Sequence, residues 1–168
     1  MEVFMQRKLF TTAGVAIAAL AAVIGASAPV SAQTSEASSG SASPTCYGET
    51  CEGLSPISAN CTSGSVSLAN IVLLGAGARE FLVDHRYSAS CGTTWTRVTD
   101  INQPDCYYSL TAWHEGINNS TGVRTRTASV SSGDACSAST TTMSKAGRST
   151  RACGHSSWEG LDHCTPWK

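Results

Sequence analysis

Eight cysteines, Cys46, Cys51, Cys61, Cys91, Cys106, Cys136, Cys153 and Cys164, all fall after residue 45 of this 168-residue chain. They could grip a metal, carry redox chemistry or staple a fold. Thiol redox enzymes and many structural zinc sites use Cys-x-x-Cys, and this chain has none. An even number of cysteines in a chain bound for an oxidising compartment reads as a disulfide framework. Four disulfides are therefore expected, with no metal and no cofactor.

The N-terminus supports that compartment. Arg7 and Lys8 stand before an apolar run from Leu9 to Ile24, and small residues follow as far as Val30-Ser31-Ala32. This is the layout of a secretory signal peptide, residues 1–32, with cleavage before Gln33. The run is shorter than the roughly twenty apolar residues that a membrane helix needs. Residues 33–45, QTSEASSGSASPT, are almost wholly small and polar. Such a stretch buries too little apolar surface to offset its ordering entropy, so it reads as a flexible leader. Residues 46–168 then have the size of one disulfide-rich domain.

Without Glu2, Arg7 and Lys8, eleven acidic side chains stand against nine Lys and Arg, with neither sign clustered. Nothing in that pattern points to nucleic acid or to a membrane surface once the signal is gone. Arg124 and Arg126, at alternate positions, read as one solvated face of a strand.

From Cys46 onward, short alternating runs are broken by Gly, Ser, Asn and Asp. Period two predicts strands, and the fold expected is all-β, a small antiparallel sandwich or partly open barrel. Val66, Leu68, Val72 and Leu74 share one parity, and Phe81, Val83, His85 and Tyr87 share another. The two runs read as an antiparallel pair turning at Gly75-Ala76-Gly77. Thr94 to Thr99, Tyr107 to His114 and Val123 to Val130 supply further strands, with EGINNSTG, residues 115–122, as a loop rich in turn formers. Residues 46–60 should be irregular, Thr140 to Ala146 a short strand, and Gly147 to Trp167 loop. Trp95 and Arg97 share a strand face, which would lay the guanidinium over the indole.

A wider pattern runs through these residues. Cys46-x-Gly48-x-x-Cys51-x-Gly53, Pro56 and Cys61 precede Arg86-Tyr87-Ser88-x-x-Cys91-x-x-x-Trp95-x-Arg97. Met143, Arg151-Ala152-Cys153 and Cys164-Thr165 follow. The set resembles the YjfA-like family of small secreted bacterial proteins, whose activity is unassigned. The chain departs from it at Ser55, where the family usually has Asp, and at His85, where it usually has an apolar residue. The resemblance implies export, disulfides and a bacterial origin, and carries no catalytic residue. It also groups the cysteines. Cys46, Cys51, Cys61 and Cys91 form an even set whose internal pairing stays open, while Cys153 and Cys164 belong to the longer ending and should pair. Cys106 and Cys136 remain. They fall at the open end of a hairpin turning near Asn118 and Asn119, where disulfide geometry could be met.

Reactive constellations are scarce. His155, Glu159, Asp162 and His163 could hold a divalent ion if a loop gathered them, although no His-Glu-x-x-His is present. There is no Gly-x-Ser-x-Gly elbow. His85 follows Asp84, but neighbours on a strand face opposite ways. Tyr107, Tyr108, Trp113, Trp158 and Trp167 divide between packing and possible contact surface. The reading is a secreted, stapled, non-catalytic module that binds a protein or a cell-surface polymer. Its rivals are a small secreted hydrolase, metal-assisted through His155 and His163, and an extracellular protease inhibitor presenting Gly154 to His163.

Overall fold

The computed structural model describes residues 43–102, 106, 109–133 and 136–168. The signal expected over 1–32, most of the leader, Tyr107 and Tyr108 lie outside them. Among the described residues no helix is long and apolar enough to cross a membrane.

The protein is all-β, two antiparallel sheets stacked as an open sandwich, and it carries four disulfides. β1 (Val66–Leu74), β2 (Glu80–Ser88) and β3 (Thr93–Asp100) form a meander. The β1 to β2 turn passes through Gly77 at φ 70°, a left-handed conformation that favours glycine. The second sheet is built on β4 (Thr111–Asn118), which carries β5 (Arg124–Arg126) and β6 (Val130–Ser131) on one side. β7 (Ser137–Ser139) and β8 (Met143–Ser144) return to pair with β3. β9 (Arg148–Ser156) then pairs along the other side of β4, and β10 (Leu161–Cys164) pairs with β9.

Several expectations change. Residues 147–167 are mostly strand rather than loop: β9 is an inner strand of the second sheet, pairing with both β4 and β10, and only the turn at 157–160 and the ends are irregular. The loop expected over 115–122 begins later, because β4 continues to Asn118, whose Oδ1 accepts the backbone N–H groups of Ser120 and Thr121 at 2.9 and 3.0 Å. That local bond turns the chain. The strand expected over 123–130 is two short pieces, and the one expected over 140–146 is only Met143–Ser144.

The parity of β1 is also reversed. A bulge between Ser67 and Ala69 adds one residue, after which Ala69, Ile71 and Leu73 face the same way as His85, Val83 and Phe81. Leu73 is 4% exposed and Val72 is 52% exposed. One extra residue moves every later side chain to the other face.

The main core lies between the sheets: Leu73, Phe81, Val83, Val98, Leu110, Ala112 and Ala152. β9 enters it through small residues, and Gly154 is the closest approach. A Cβ there would lie 2.8 Å from Leu73 Cδ1, 2.9 Å from Val83 Cγ2 and 3.1 Å from Leu110 Cδ2. Three core side chains cannot all retreat in a close-packed interior. Gly154→Ala should therefore destabilise by about 1 to 3 kcal/mol in urea unfolding, and an unchanged midpoint would mean that the sheets yield there.

The segment 46–65 covers part of the outer face of the first sheet. It opens with a 3-10 turn, Gly48–Cys51, and is tied to the β2 to β3 turn by Gly48 N–H to Cys91 O at 2.7 Å. Gly53 N–H donates to Thr142 O at 2.9 Å. Beneath it Cys51, Ala59, Cys61, Cys91 and Trp95 form a second buried cluster, with Cys46 packed against it. Cys46 pairs with Cys51 and Cys61 with Cys91; Cys106 pairs with Cys136 and Cys153 with Cys164. The four Cα separations run from 4.0 to 5.7 Å.

Candidate functional site

The four residues singled out as a candidate metal site, His155, Glu159, Asp162 and His163, do not converge on one point. β9 and β10 put His155 opposite Asp162, with His155 Nδ1 2.7 Å from Asp162 Oδ1. His163, the next residue, points to the other face of the hairpin, and its Nε2 lies 2.7 Å from Glu159 Oε2. The result is two separate histidine–carboxylate pairs. The acid-and-thiol groups that do converge, Cys46 with Cys51 and Cys61, and Glu115 with Cys153 and Cys164, consist mainly of cysteines already in disulfides.

On the outer face of the second sheet, Trp113 Nε1 donates to Glu115 Oε1 at 2.9 Å, and Arg151 donates to Glu115 Oε2 through Nε and Nη2 at 2.9 and 2.7 Å. Burial alone would raise the Glu115 carboxyl. The hydrogen bonds from Trp113 and Arg151 and the charges of Arg151 and Arg126 outweigh it, so its pKa falls below the ordinary value. The guanidinium carbons of Arg126 and Arg151 stand 3.9 and 4.3 Å from the Trp113 and Trp167 ring centroids. These aromatics are wall rather than open platform, apart from Trp158, which is exposed. Arg126 thus does more than face solvent.

The groove with chemistry to offer is on the other side of the molecule. β2 and β3 pair Asp84 with Arg97 and Arg86 with Trp95, and all four project away from the main core. They form a square of charge and indole beside the 46–65 segment. Asp84 is buried, and its Oδ2 accepts from Arg86 Nη1 and Arg97 Nη2, each at 3.2 Å. The Ser67 hydroxyl donates to Oδ1. Arg86 Nη2 donates to the carbonyl and hydroxyl oxygens of Ser65, both at 2.6 Å. Arg97 therefore serves Asp84 rather than the Trp95 indole, because the carboxylate directly across the strand pair is a stronger partner than a ring two residues along its own strand.

Above this square is a groove of about 300 Å³, lined by both arginines, Trp95, Ile57 and Ala138, and by the hydroxyls of Thr62, Ser65, Ser137 and Ser139. One carboxylate is shared by two guanidiniums, so the groove carries a surplus positive charge. Sequence reasoning singled out Arg86, Trp95 and Arg97 as motif residues. It missed Asp84 as their common partner, and the signal for it is the alternation Asp84, Arg86 on one strand against Trp95, Arg97 on the next.

Between the sheets lies a buried polar layer. His85 Nε2 is 3.0 Å from Thr150 Oγ1, and that hydroxyl is 3.3 Å from Thr94 Oγ1, which lies 2.9 Å from His114 Nε2. Thr96 Oγ1 donates to Trp113 O at 2.8 Å, so it accepts from His114 Nδ1 at 3.1 Å. The two ring centroids are 5.2 Å apart. Burial pulls the His85 pKa down to about 4, and Lys145 adds to the effect against the opposing charge of Asp84. Burial lowers His114 well below its usual value too, with His85 and Lys145 contributing. His85 is fully buried, and its Nδ1 has no hydrogen-bond partner among the described residues. Both rings are therefore neutral packing elements at neutral pH. Compared with family models, curated proteins and solved structures, the chain matches none of them.

Proposed function

We propose that the chain is a secreted, non-catalytic binding module that holds a cell-surface polymer in the Arg86, Trp95 and Arg97 groove. The observation that carries this reading is the pair of guanidiniums sharing one buried carboxylate beneath a hydroxyl-lined groove. Concave sites with a few fixed polar groups are where ligands bind. The motif likeness to the YjfA-like family supports the reading, since three of its residues line the groove. Export is supported by Arg7 and Lys8 before the apolar run 9–24 and by Val30-x-Ala32. Four disulfides fit an oxidising compartment.

The test is co-sedimentation of the mature protein with purified insoluble cell-envelope polysaccharide. Ser139→Trp, which puts a large ring on the strand beside Arg97, should reduce retention at least tenfold with an unchanged melting temperature. Equal retention by both proteins would remove the groove from the reading. N-terminal sequencing of protein from culture medium should begin at or near Gln33, and a retained Met1 would overturn the export argument.

A further inference from the structure

We infer that the groove is built for an acidic sugar residue, a pyranose bearing a carboxylate, as found in uronate-containing polysaccharides. This rests on the binding reading above and names the ligand's chemistry. Asp84 can neutralise only one of the two guanidiniums that share its Oδ2, and none of the residues lining the groove is acidic. Arg86 is spent on Asp84 and Ser65, whereas the Arg97 side chain keeps 42% of its exposure. Its Nε is buried and has no hydrogen-bond acceptor among the described residues. The surplus charge thus reaches the groove through Arg97, and a planar carboxylate is the partner that a guanidinium fork fits best.

The rest of the lining argues for a sugar rather than a peptide. β2 and β3, which floor the groove, are each paired on both sides, so an extended chain could pair only along the outer edge of β7, the last strand of the sheet. What they and their neighbours offer is side-chain hydroxyls, from Thr62, Ser137 and Ser139, beside the exposed apolar surface of Ile57. Hydroxyl donors and acceptors around one cation complement a ring with hydroxyls around one carboxylate. The volume of about 300 Å³ lies at the small end of ligand pockets and exceeds what a lone carboxylate fills.

The experiment is calorimetric titration of the mature protein with three probes: trigalacturonate, the neutral galactose trimer, and a short uncharged peptide with a free C-terminal carboxylate. Trigalacturonate should bind at least tenfold more tightly than either of the others and weaken as salt rises. Arg97→Gln should lose at least tenfold in affinity for trigalacturonate. Ser139→Trp should do the same, and because it leaves the Asp84 cluster intact it serves as the check if Arg97→Gln melts early. Equal affinity for the neutral trimer, tighter binding of the peptide, or no binding of trigalacturonate would overturn the ligand class while polymer retention still stood for the groove. Trigalacturonate binding unaffected by either substitution would overturn the groove itself.

Discussion

Between pH 6.5 and 5 the protein should lose about 3 kcal/mol of unfolding free energy, drawn from two imidazoles lodged between the sheets. Both His85 and His114 have folded pKa values depressed by burial, His85 to about 4. In the unfolded chain each takes up a proton near pH 6.5, and in the folded protein neither does so until the pH is far lower. The unfolded state therefore binds more protons throughout this window. The stabilisation is complete above pH 6.5 and is lost as the pH falls toward the folded values. Each group's slope rises from about 0.7 kcal/mol per pH unit at pH 6.5, where the unfolded imidazole is half protonated, to about 1.4 near pH 5, and two such groups give the stated loss. Carboxylate protonation begins mostly below pH 5, which keeps the window clean. Urea midpoints across the range measure the slope, and proton resonances of the two buried imidazoles report the sites directly. A flat stability profile, or buried-histidine resonances titrating near pH 6.5, would show that water or a counter-charge reaches the layer.

Trp95→Ala should cost about 3 to 5 kcal/mol, the range for removing a large aromatic from a packed site. The ring is 1% exposed and packs among Cys51, Ala59, Cys61 and Cys91. Its loss would leave the Cys46–Cys51 and Cys61–Cys91 disulfides around a hole, and those covalent links hold the walls apart instead of letting them collapse. Thermal and urea unfolding measure the cost. Should stability stay put while polymer retention disappears, Trp95 would be a contact residue and the second cluster would not depend on it.

The meander was legible because β2 writes its environment plainly: Phe81, Val83 and His85 alternate with Leu82, Asp84 and Arg86. β9 was not, and the reason is physical. Its inward residues are Thr150, Ala152, Gly154 and Ser156, all buried, none of them large and apolar. The strand fits because Gly154 admits Leu73 and Val83, and because the Thr150 hydroxyl meets His85. Those partners lie more than sixty residues away, so no local pattern reveals them. The phase of β1 was hidden in the same way, since the bulge after Ser67 is a property of its pairing with β2. Of the groove, Arg86, Trp95 and Arg97 could be picked out along the chain, but their common dependence on Asp84 appears only once β2 and β3 lie side by side. His155, Glu159, Asp162 and His163 misled in the opposite direction, because closeness in sequence put them on two faces of one hairpin.

The position of β9 sets an order of assembly. A chain emerging from its N-terminus can zip β1, β2 and β3 through short turns as soon as residue 100 is out. β4 must wait, because its register partners run from Arg148, opposite Asn118, to His155, opposite Thr111. Non-local pairings of this kind are slow to close and leave an open strand edge meanwhile. Until residue 156 has emerged, Ala112 and His114 have no Gly154 and Ala152 to pair with, and β10 has no strand to join. A nascent chain stalled anywhere before β9 is thus half a sandwich with its interior turned to water, a state that chaperones and proteases can tell from the finished protein.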